Sequence, residues 1–192
     1  RIGGSMDVYH SNTNDLLLSM TIPTLTGFNS TYANVGKTKN FGVDLSLNLV
    51  PIQTKDFEWN STINAAYQKD EIVELANGKQ DDISNAWFIG EAISVYYGTA
   101  CDGLWQESDA EEMAKFNANG HKFEAGMVKP VDQDGNYVID GDDRIILGNK
   151  NPKWVLGWSN TFSYKGFELG IELNGRFGYM VDTGGEGQYG MY

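Results

Sequence analysis

The sequence contains few of the residues that disulfides, zinc sites and nucleic-acid interfaces need. Only one of its 192 residues is cysteine and two are histidine. Cys101 therefore has neither a disulfide partner nor a second thiol for a zinc site, and we expect it to be a small buried or half-buried residue. The 14 Lys and Arg stand against 26 Asp and Glu, a net charge of −12, which argues against nucleic acid as a partner.

Catalytic motifs are also missing. The sequence has no GxSxG, HExxH or phosphate-binding loop, and His10 and His121 stand outside any catalytic pattern. The neighbouring acids at 111–112 and 142–143 could serve a glycosidase in principle, but they fall in a stretch that we expect to be a solvated loop. The sequence therefore predicts a protein that is not an enzyme.

Long apolar runs are absent as well. No stretch approaches the roughly 20 apolar residues of a membrane-spanning helix. The first residues, RIGGSMDVYH, contain neither an initiator methionine nor a signal-peptide pattern, so we expect the sequence to be cut from a longer chain. A hydropathy window does not detect strands in which apolar and polar residues alternate. The lack of long apolar runs therefore does not exclude a membrane β-barrel.

Alternation of apolar and polar residues is the strongest signal that is present. Four stretches alternate with a period of two and predict strands at 41–50, about 56–70, 153–164 and 167–179. Short turns at about 50–55 and at Lys165–Gly166 join the first two and the last two of them. In the fourth strand Leu169 and Ile171 fall on the apolar side and Asn174 on the polar side. The sequence thus predicts antiparallel hairpins with one apolar face.

Strand length favours a membrane barrel over a soluble sheet. Each predicted strand is longer than the usual five or six residues and reaches the about 9 to 11 residues of a tilted membrane strand. Charges at Glu168, Glu172 and Arg176 suit a water-filled lumen. The predicted fold class is all-β: an antiparallel transmembrane β-barrel segment with a long outer loop that contains a short helix. The alternative is a soluble antiparallel β-sandwich with one solvent-exposed face.

The stretch 71–152 is predicted to be that long loop. It holds sixteen Asp and Glu and six Lys and Arg, and so carries −10 of the chain's net charge of −12. A short helix is predicted within it, with Ser108 as N-cap, Glu111 at the capping-box position and Gly120 as its stop. Four aromatic residues could stack on a sugar or an apolar partner, or form the loop's own small core: Trp87, Tyr96, Tyr97 and Trp105.

A ladder of oxygen-bearing residues runs through 131–144, VDQDGNYVIDGDDR. The candidate ligands for a hard cation such as Ca²⁺ occupy six positions of an EF-hand-like loop: Asp132, Asp134, Asn136, the Val138 carbonyl, Asp140 and Asp143. Two features depart from that pattern, because Tyr137 replaces the glycine of the sharp turn and Asp143 is shorter than the usual glutamate. A tight turn at Asp134–Gly135 whose acids face water is the alternative.

Several segments of the sequence occur together, and in the same order, in one known family. They include MDVYHSNTNDLLL, FEWNSTINAAYQKDEIVEL and WFIGEAISVYYGTACDGLWQ, and they run from Met6 to about Phe177. Two spaced motifs are the most specific: NVG followed by NFGVD, and DR followed by GN and NP. With these segments the chain resembles the SusC/RagA family of TonB-dependent outer-membrane transporters. The family usually has glycine where this chain has Tyr137.

The resemblance implies active import through a 22-stranded barrel with an N-terminal plug domain. Residues 1–192 would form a partial C-terminal β-barrel region, 71–152 would be a long extracellular loop, and the plug and the TonB-contacting segment would lie outside these residues. The implied partners are a SusD-like surface lipoprotein that acts as a lid, TonB, outer-membrane lipid, and oligosaccharide or peptide cargo. A secreted calcium-dependent adhesin or carbohydrate-binding module is the alternative function.

Overall fold

A computed structural model describes residues 1–21 and 30–182 of the chain, with side chains for residues 1–17 and 36–182. This part contains nine strands and one α-helix: β1 (Ile2–Thr21), β2 (Ser30–Gln53), β3 (Phe57–Glu74), β4 (Val95–Thr99), β5 (Cys101–Leu104), α1 (Ala110–Ala118), β6 (Val128–Pro130), β7 (Arg144–Asn149), β8 (Trp154–Tyr164) and β9 (Phe167–Phe177). Among these described residues no helix is both long and apolar enough to cross a membrane.

The chain divides into two compact units. The first contains Arg1–Ser94 and the residues from Asn149 onward, and the second contains Val95–Gly148. The first unit is built on a five-stranded antiparallel sheet with the strand order β1-β2-β3-β8-β9. The predicted all-β, antiparallel fold is therefore confirmed.

The predicted strands and turns of this sheet agree with the structure. β8 and β9 begin within one residue of the prediction, and Tyr164 pairs with Phe167 across a two-residue turn. In that turn Lys165 has φ 45° and Gly166 has φ 88°, the left-handed conformation at both positions that a type I′ hairpin turn requires. At the turn before β3, the Thr54 hydroxyl accepts a hydrogen bond from the Phe57 N–H at 3.0 Å.

The sheet extends well beyond the predicted strands at one end. β1 was not predicted at all, and β2 begins at Ser30 rather than at residue 41. The period of two is broken in β1 by the run of three leucines and by a bulge, where Asp15 has φ 57° and the register with β2 shifts after Thr13. Residues 30–40 of β2 are mostly polar on both sides, so they carry no alternating signal.

The second unit contains two small sheets and α1. β4 pairs with β7 and β5 pairs antiparallel with β6. Its hydrophobic core consists of Trp105, Met113 and Phe116, against which Phe123, Tyr137 and Ile139 pack. α1 contributes Met113 and Phe116, three residues apart and therefore on the same side of the helix.

The predicted start of the helix is wrong. A 3₁₀ turn at Glu107–Asp109 precedes α1, and Asp109 rather than Ser108 stands at the N-cap position. The Asp109 carboxylate accepts a hydrogen bond from the Gln106 N–H at 3.1 Å, so the reciprocal bonding expected around Ser108 and Glu111 occurs earlier in the chain. Gly120 does follow the end of the helix, with φ 100°.

Candidate functional site

One face of the five-stranded sheet is apolar on every strand. The register places the following side chains on this face: Ile2, Met6 and Val8 of β1; Phe41, Val43, Leu45, Leu47 and Leu49 of β2; Trp59, Ile63, Ala65 and Tyr67 of β3; Trp154, Leu156, Trp158 and Phe162 of β8; Phe167, Leu169, Ile171, Leu173 and Phe177 of β9. On β9 the exposed fraction is 59% for Leu169 and 54% for Leu173. Such a continuous exposed apolar surface marks an interaction site.

Aromatic rings gather at both ends of this apolar face. Near the short turns, Trp59 stacks on Phe162 with ring centroids 5.6 Å apart. Near the other end, Tyr67 lies 4.7 Å from Trp154 and 6.4 Å from Phe41. Two aromatic rows with an aliphatic band between them are typical of strands that cross a membrane.

Between the two aromatic rows, two polar side chains interrupt the apolar face, and both are buried. Ser61 and Asn160 pair directly across β3 and β8, and only 4% and 3% of their surface is exposed. The Trp59 indole N–H donates to Asn160 Oδ1 at 3.0 Å, and the Trp158 indole N–H donates to Ser61 Oγ at 2.9 Å. The two indoles therefore cover and hydrogen-bond the polar pair.

The opposite face of the sheet is polar. Its side chains belong to residues that alternate with the apolar ones: Ser5, Asp7 and Tyr9 of β1; Asn40, Asp44, Ser46 and Asn48 of β2; Asn60, Thr62, Asn64, Gln68 and Asp70 of β3; Ser159, Thr161 and Ser163 of β8; Glu168, Glu172, Asn174 and Arg176 of β9. The Thr62 hydroxyl donates to Asn48 Oδ1 at 3.0 Å. Uncharged hydrogen-bonding groups thus dominate this face.

A cavity of about 430 Å³, lined by both polar and apolar residues, lies at the end of this face opposite the short turns. Its lining includes Thr38, Asn40, Gln68 and Glu91. Asp70 also lines it and accepts a hydrogen bond from the Ile93 N–H at 3.1 Å, which ties the chain at residues 90–93 to β3. Sequence reasoning did not single out this cavity. Gln68 falls within the predicted strand at about 56–70, but the hydrogen bond that ties residues 90–93 to β3 has no sequence signal.

The acidic loop 131–144 brings three of its predicted ligands together. Carboxylate oxygens of Asp132, Asp134 and Asp143 lie within 4.8 Å of one another. Asp140 is not a member of this group, and its Oδ1 accepts the Asp142 N–H at 2.8 Å. Asn136 lies next to the group, since its side-chain amide donates to Asp134 Oδ2 at 2.8 Å. The structure thus gathers the first, third and twelfth positions of the loop.

Backbone N–H groups surround these carboxylates. Asp132 accepts from Gly135 and from Tyr137, both at 2.7 Å. Asp143 is 1% exposed and accepts from Gln133 and from Asp140, both at 2.8 Å. Because its two oxygens each accept a hydrogen bond from a different part of the loop, Asp143 holds the two ends of the loop together.

Electrostatics favour the ionised form of Asp132, the first of the predicted ligands. Desolvation raises the pKa of the Asp132 carboxyl, but the N–H groups of Tyr137 and Gly135 and contacts with Asp134 and Asn136 together hold this pKa below its ordinary value of 3.8. Three carboxylates with oxygen atoms this close fit a hard cation chemically. Cation binding here stays a prediction.

Tyr137 occupies the turn position of the loop in the left-handed conformation, with φ 61°. That is the conformation for which EF-hand loops use glycine. The Tyr137 ring packs edge-on against Phe116 at 5.4 Å, and Lys115 Nζ lies 5.0 Å from its centroid. The aromatic side chain therefore anchors the loop to α1, which a glycine could not do.

The four aromatic residues singled out from the sequence are divided between the two units. Trp105 is 1% exposed in the core of the second unit, with Lys129 Nζ 4.6 Å from its ring centroid. Of the two roles that the sequence left open, Trp105 therefore has the second, because it belongs to the small core of its own segment. Trp87 is half-buried in the first unit, whereas Tyr96 and Tyr97 are half-buried on β4 in the second.

Comparison with known proteins gives consistent relatives, although no family model matches the chain. The chain is 31% identical over 192 residues to TonB-dependent receptor P26 of Formosa agariphila, which covers 94% of this chain and 19% of that receptor. It is 32% identical over 178 residues to TonB-dependent receptor SusC of Bacteroides thetaiotaomicron, which covers 90% of this chain and 17% of SusC. These matches confirm the family resemblance drawn from the sequence.

Solved structures agree with the sequence relatives. The RagAB peptide importer in its open-open state matches with a TM-score of 0.71 and 26% identity, over 93% of this chain and 19% of the importer chain. The chain thus spans about a fifth of the length of the relatives it matches. The five-stranded sheet corresponds to the barrel part of such proteins.

Proposed function

We propose that this chain, which is related over nearly its whole length to SusC- and RagA-type TonB-dependent receptors, forms part of the wall of an outer-membrane import barrel. The observation that carries the proposal is the sheet with one continuous apolar face and one continuous polar face. In a membrane barrel the first contacts lipid and the second lines an aqueous lumen.

The spacing of the aromatic rows supports this assignment. The outermost aromatic row at the short-turn end, in which Phe57 pairs with Tyr164 and Tyr164 pairs with Phe167, is ten residues from Tyr67 along β3. At roughly 3.4 Å per residue and a tilt of about 40°, the rows are separated by roughly 26 Å along the membrane normal. This separation matches the apolar band of about 25 Å in outer-membrane barrels.

The connections give the sheet an orientation. At one end β2 joins β3 and β8 joins β9 through short turns, and at the other end β3 continues into the long connection to β8. Outer-membrane barrels have short turns on the periplasmic side and long loops outside. The connection, predicted as 71–152 and observed between Glu74 and Trp154, then lies on the extracellular side.

The proposed activity is TonB-dependent import with a SusD-like lipoprotein as lid, and the cargo class is oligosaccharide or peptide. RagAB is a peptide importer. The polar face of this chain offers mostly hydroxyl and amide groups, which can hydrogen-bond either kind of cargo. Its relatives are receptors and transporters, so we assign the chain no catalytic role.

A secreted calcium-dependent carbohydrate-binding or adhesin module is not favoured. Such a module has to be soluble by itself, whereas Phe167, Leu169 and Ile171 expose 81%, 59% and 43% of their surface on one face of β9. Contiguous apolar surface on this scale would drive aggregation in water.

The proposed function is tested with the full-length receptor in a Gram-negative host. We expect it in the outer-membrane fraction, extractable only with detergent, and we expect uptake of its cargo to stop when TonB is deleted. Candidate cargos are offered as separate oligosaccharide and peptide mixtures, and depletion from the medium is measured. A folded receptor that remains soluble without detergent, or uptake that is independent of TonB, would contradict the proposal.

For the acidic loop we propose a structural Ca²⁺ site with Asp132, Asp134 and Asp143 as its central ligands. A cation would offset the repulsion among these carboxylates and stiffen the loop without taking part in transport. Chelation is expected to accelerate protease cleavage within 131–144, and added Ca²⁺ to restore protection. Asp140→Asn is the matched control, because Asp140 lies outside the group. Cleavage that does not respond to Ca²⁺ would refute the site.

A further inference from the structure

Lysines continue the apolar face beyond its last aromatic row. Phe41 pairs with Lys69 across β2 and β3, and Lys39 pairs with Glu71 one step further from the aliphatic band. Since residues two apart share a face, Lys39, Lys69 and Glu71 lie on the same side of the sheet as Phe41 and Tyr67. We call Lys39 and Lys69 the rim lysines.

The rim lysines share a single carboxylate. Lys39 Nζ is ion-paired with Glu71 Oε1, and Lys69 Nζ lies 3.3 Å from Glu71 Oε2. The side chain of Glu71 is 19% exposed, while those of Lys39 and Lys69 are 43% and 53% exposed. Among the residues whose side chains the structure describes, two ammonium groups therefore face one largely covered acid, which leaves a surplus positive charge at the surface.

Hydrogen-bonding capacity is also left over. An ammonium group has three donors, and Glu71 has only two carboxylate oxygens to offer to both lysines. Lys37, which is nearby in sequence, differs because it has its own partner, Glu74, at 2.7 Å. The surplus charge and the surplus donors thus belong to Lys39 and Lys69.

We infer that the rim lysines bind the phosphate of a lipid headgroup in the outer leaflet, with the lipid's acyl chains lying against the apolar face below. The inference rests on the proposed function, because that function places this face in the membrane. Lysines next to an aromatic row stand at the depth of headgroup phosphates, and a phosphate between Lys39 and Lys69 complements their surplus charge.

The apolar face below the rim lysines favours a lipid over a soluble anion. Phe41, Val43 and Leu45 follow on β2 in the direction of the short turns, and Phe41 and Leu45 are 42% and 41% exposed. A lipid that places its phosphate at Lys39 buries its chains on these side chains, whereas inorganic phosphate gains only the ionic contact.

The test measures lipid binding to the purified full-length receptor by native mass spectrometry. The probes are lipid A that carries its phosphate, the same lipid A after phosphatase treatment, and inorganic phosphate. We expect the phosphorylated lipid to bind tightest and inorganic phosphate weakest. The double variant Lys39→Gln/Lys69→Gln is expected to bind phosphorylated lipid A roughly 30-fold more weakly, since each lysine near an anionic surface contributes about a fivefold factor.

Two further variants sharpen the result. Glu71→Gln removes the competing carboxylate, so it is expected to tighten binding of phosphorylated lipid A several-fold. Lys165→Gln removes a lysine at the opposite, short-turn end and is expected to leave that binding unchanged. Equal binding of phosphorylated and dephosphorylated lipid A, or equal binding by wild type and the double variant, would overturn the inference.

The two proposals fail in different ways. If the receptor assembles in the outer membrane but the rim variants do not change lipid binding, only the lipid inference fails. A wild-type receptor that does not enter the membrane refutes both. Binding of inorganic phosphate as tight as that of the lipid would show an anion site without a lipid and would also overturn the inference.

Discussion

Trp59 donates its indole N–H to Asn160 Oδ1 at 3.0 Å on the apolar face of the sheet. Asn160 is the one amide on the apolar side of β8, and it pairs directly with the equally buried Ser61. Because Trp158 donates to Ser61 Oγ, the side-chain oxygens of Asn160 and Ser61 each accept a hydrogen bond within the sheet. This explains how the apolar face tolerates an asparagine, because an unpaired amide in apolar surroundings costs several kcal/mol.

Replacement of Trp59 by phenylalanine is expected to destabilise the barrel by about 1–2 kcal/mol. The ring stacking on Phe162 is kept, but Asn160 Oδ1 loses its donor and is left buried and unpaired. The measurement is the urea midpoint of the full-length receptor in lipid vesicles. Trp154→Phe is the control, since among the described residues the Trp154 indole makes no hydrogen bond, and it should shift the midpoint less. Asn160→Leu in the Trp59→Phe background should restore stability.

Charges on the two faces of β9 are expected to differ in their effects. Lys at Ile171 places an ammonium group on the apolar face and should cost about 2–4 kcal/mol at the middle of the membrane. Lys at Asn174, on the polar face, should cost little. The heat-modifiable fraction of the receptor in outer-membrane preparations reports assembly. If both variants assembled equally, the assignment of the faces would be wrong.

The sequence predicted the part of the sheet in which one face is apolar and the other is polar. Leu169 and Ile171 of β9, for example, alternate with polar residues because the two environments differ. It did not predict β1 or residues 30–40 of β2, because there the contrast between faces fades and a bulge at Asp15 shifts the register. Where both faces meet similar surroundings, alternation carries no information.

Alanine at Gly42 is expected to displace Tyr9. A Cβ at residue 42 would lie 2.1 Å from Tyr9 Cζ, since the Tyr9 ring covers this glycine across β1 and β2. The ring can swing away, so the cost is the lost cross-strand contact, about 1 kcal/mol. The urea midpoint measures it. Gly170→Ala on the same polar face, where a Cβ meets nothing within 4 Å, is the control, and Gly42→Ala should add nothing in a Tyr9→Ala background.

Acid is expected to loosen the loop 131–144. The pKa of Asp132 is lowered in the folded loop from its ordinary value of 3.8, so ionised Asp132 stabilises the loop above that pH and its contribution is lost as the pH falls through the lower folded-state pKa. Pepsin cleavage of the full-length receptor, followed from pH 5 downward, measures the loss. Asp132→Asn should be cleaved faster at pH 5 and should show a flatter profile. An unchanged profile would exclude Asp132 as the cause.

The acidic loop shows how far a motif predicts a site. The spacing identified Asp132, Asp134 and Asp143, which the structure gathers, because a loop of this length closes through N–H groups that are local in sequence. The spacing could not predict that Trp105 is buried beneath the same segment. That depends on contacts with α1 and Phe123, which come from elsewhere in the chain.

Tyr137 combines a strained backbone with a useful side chain, so its replacement by glycine tests which effect is larger. Its φ of 61° costs about 1 kcal/mol that glycine would recover. The ring, half-buried against Phe116, contributes about 2–3 kcal/mol that glycine would lose. Tyr137→Gly is therefore expected to destabilise the second unit by about 1–2 kcal/mol, even though it restores the usual glycine of a calcium loop.

The control for Tyr137→Gly is Tyr137→Phe, which keeps the ring and loses only the hydroxyl that accepts from Lys115 Nζ at 3.3 Å at the surface. It should be nearly neutral. Protease resistance of the loop and Ca²⁺ affinity are measured for both variants in the full-length receptor. Glycine relieves the backbone strain in the loop, but it removes the ring that anchors the loop to α1. We therefore expect Tyr137→Gly to be cleaved faster without Ca²⁺ and to regain most of its protection with Ca²⁺. A glycine variant that is more resistant than wild type without Ca²⁺ would mean that backbone strain outweighs packing at Tyr137.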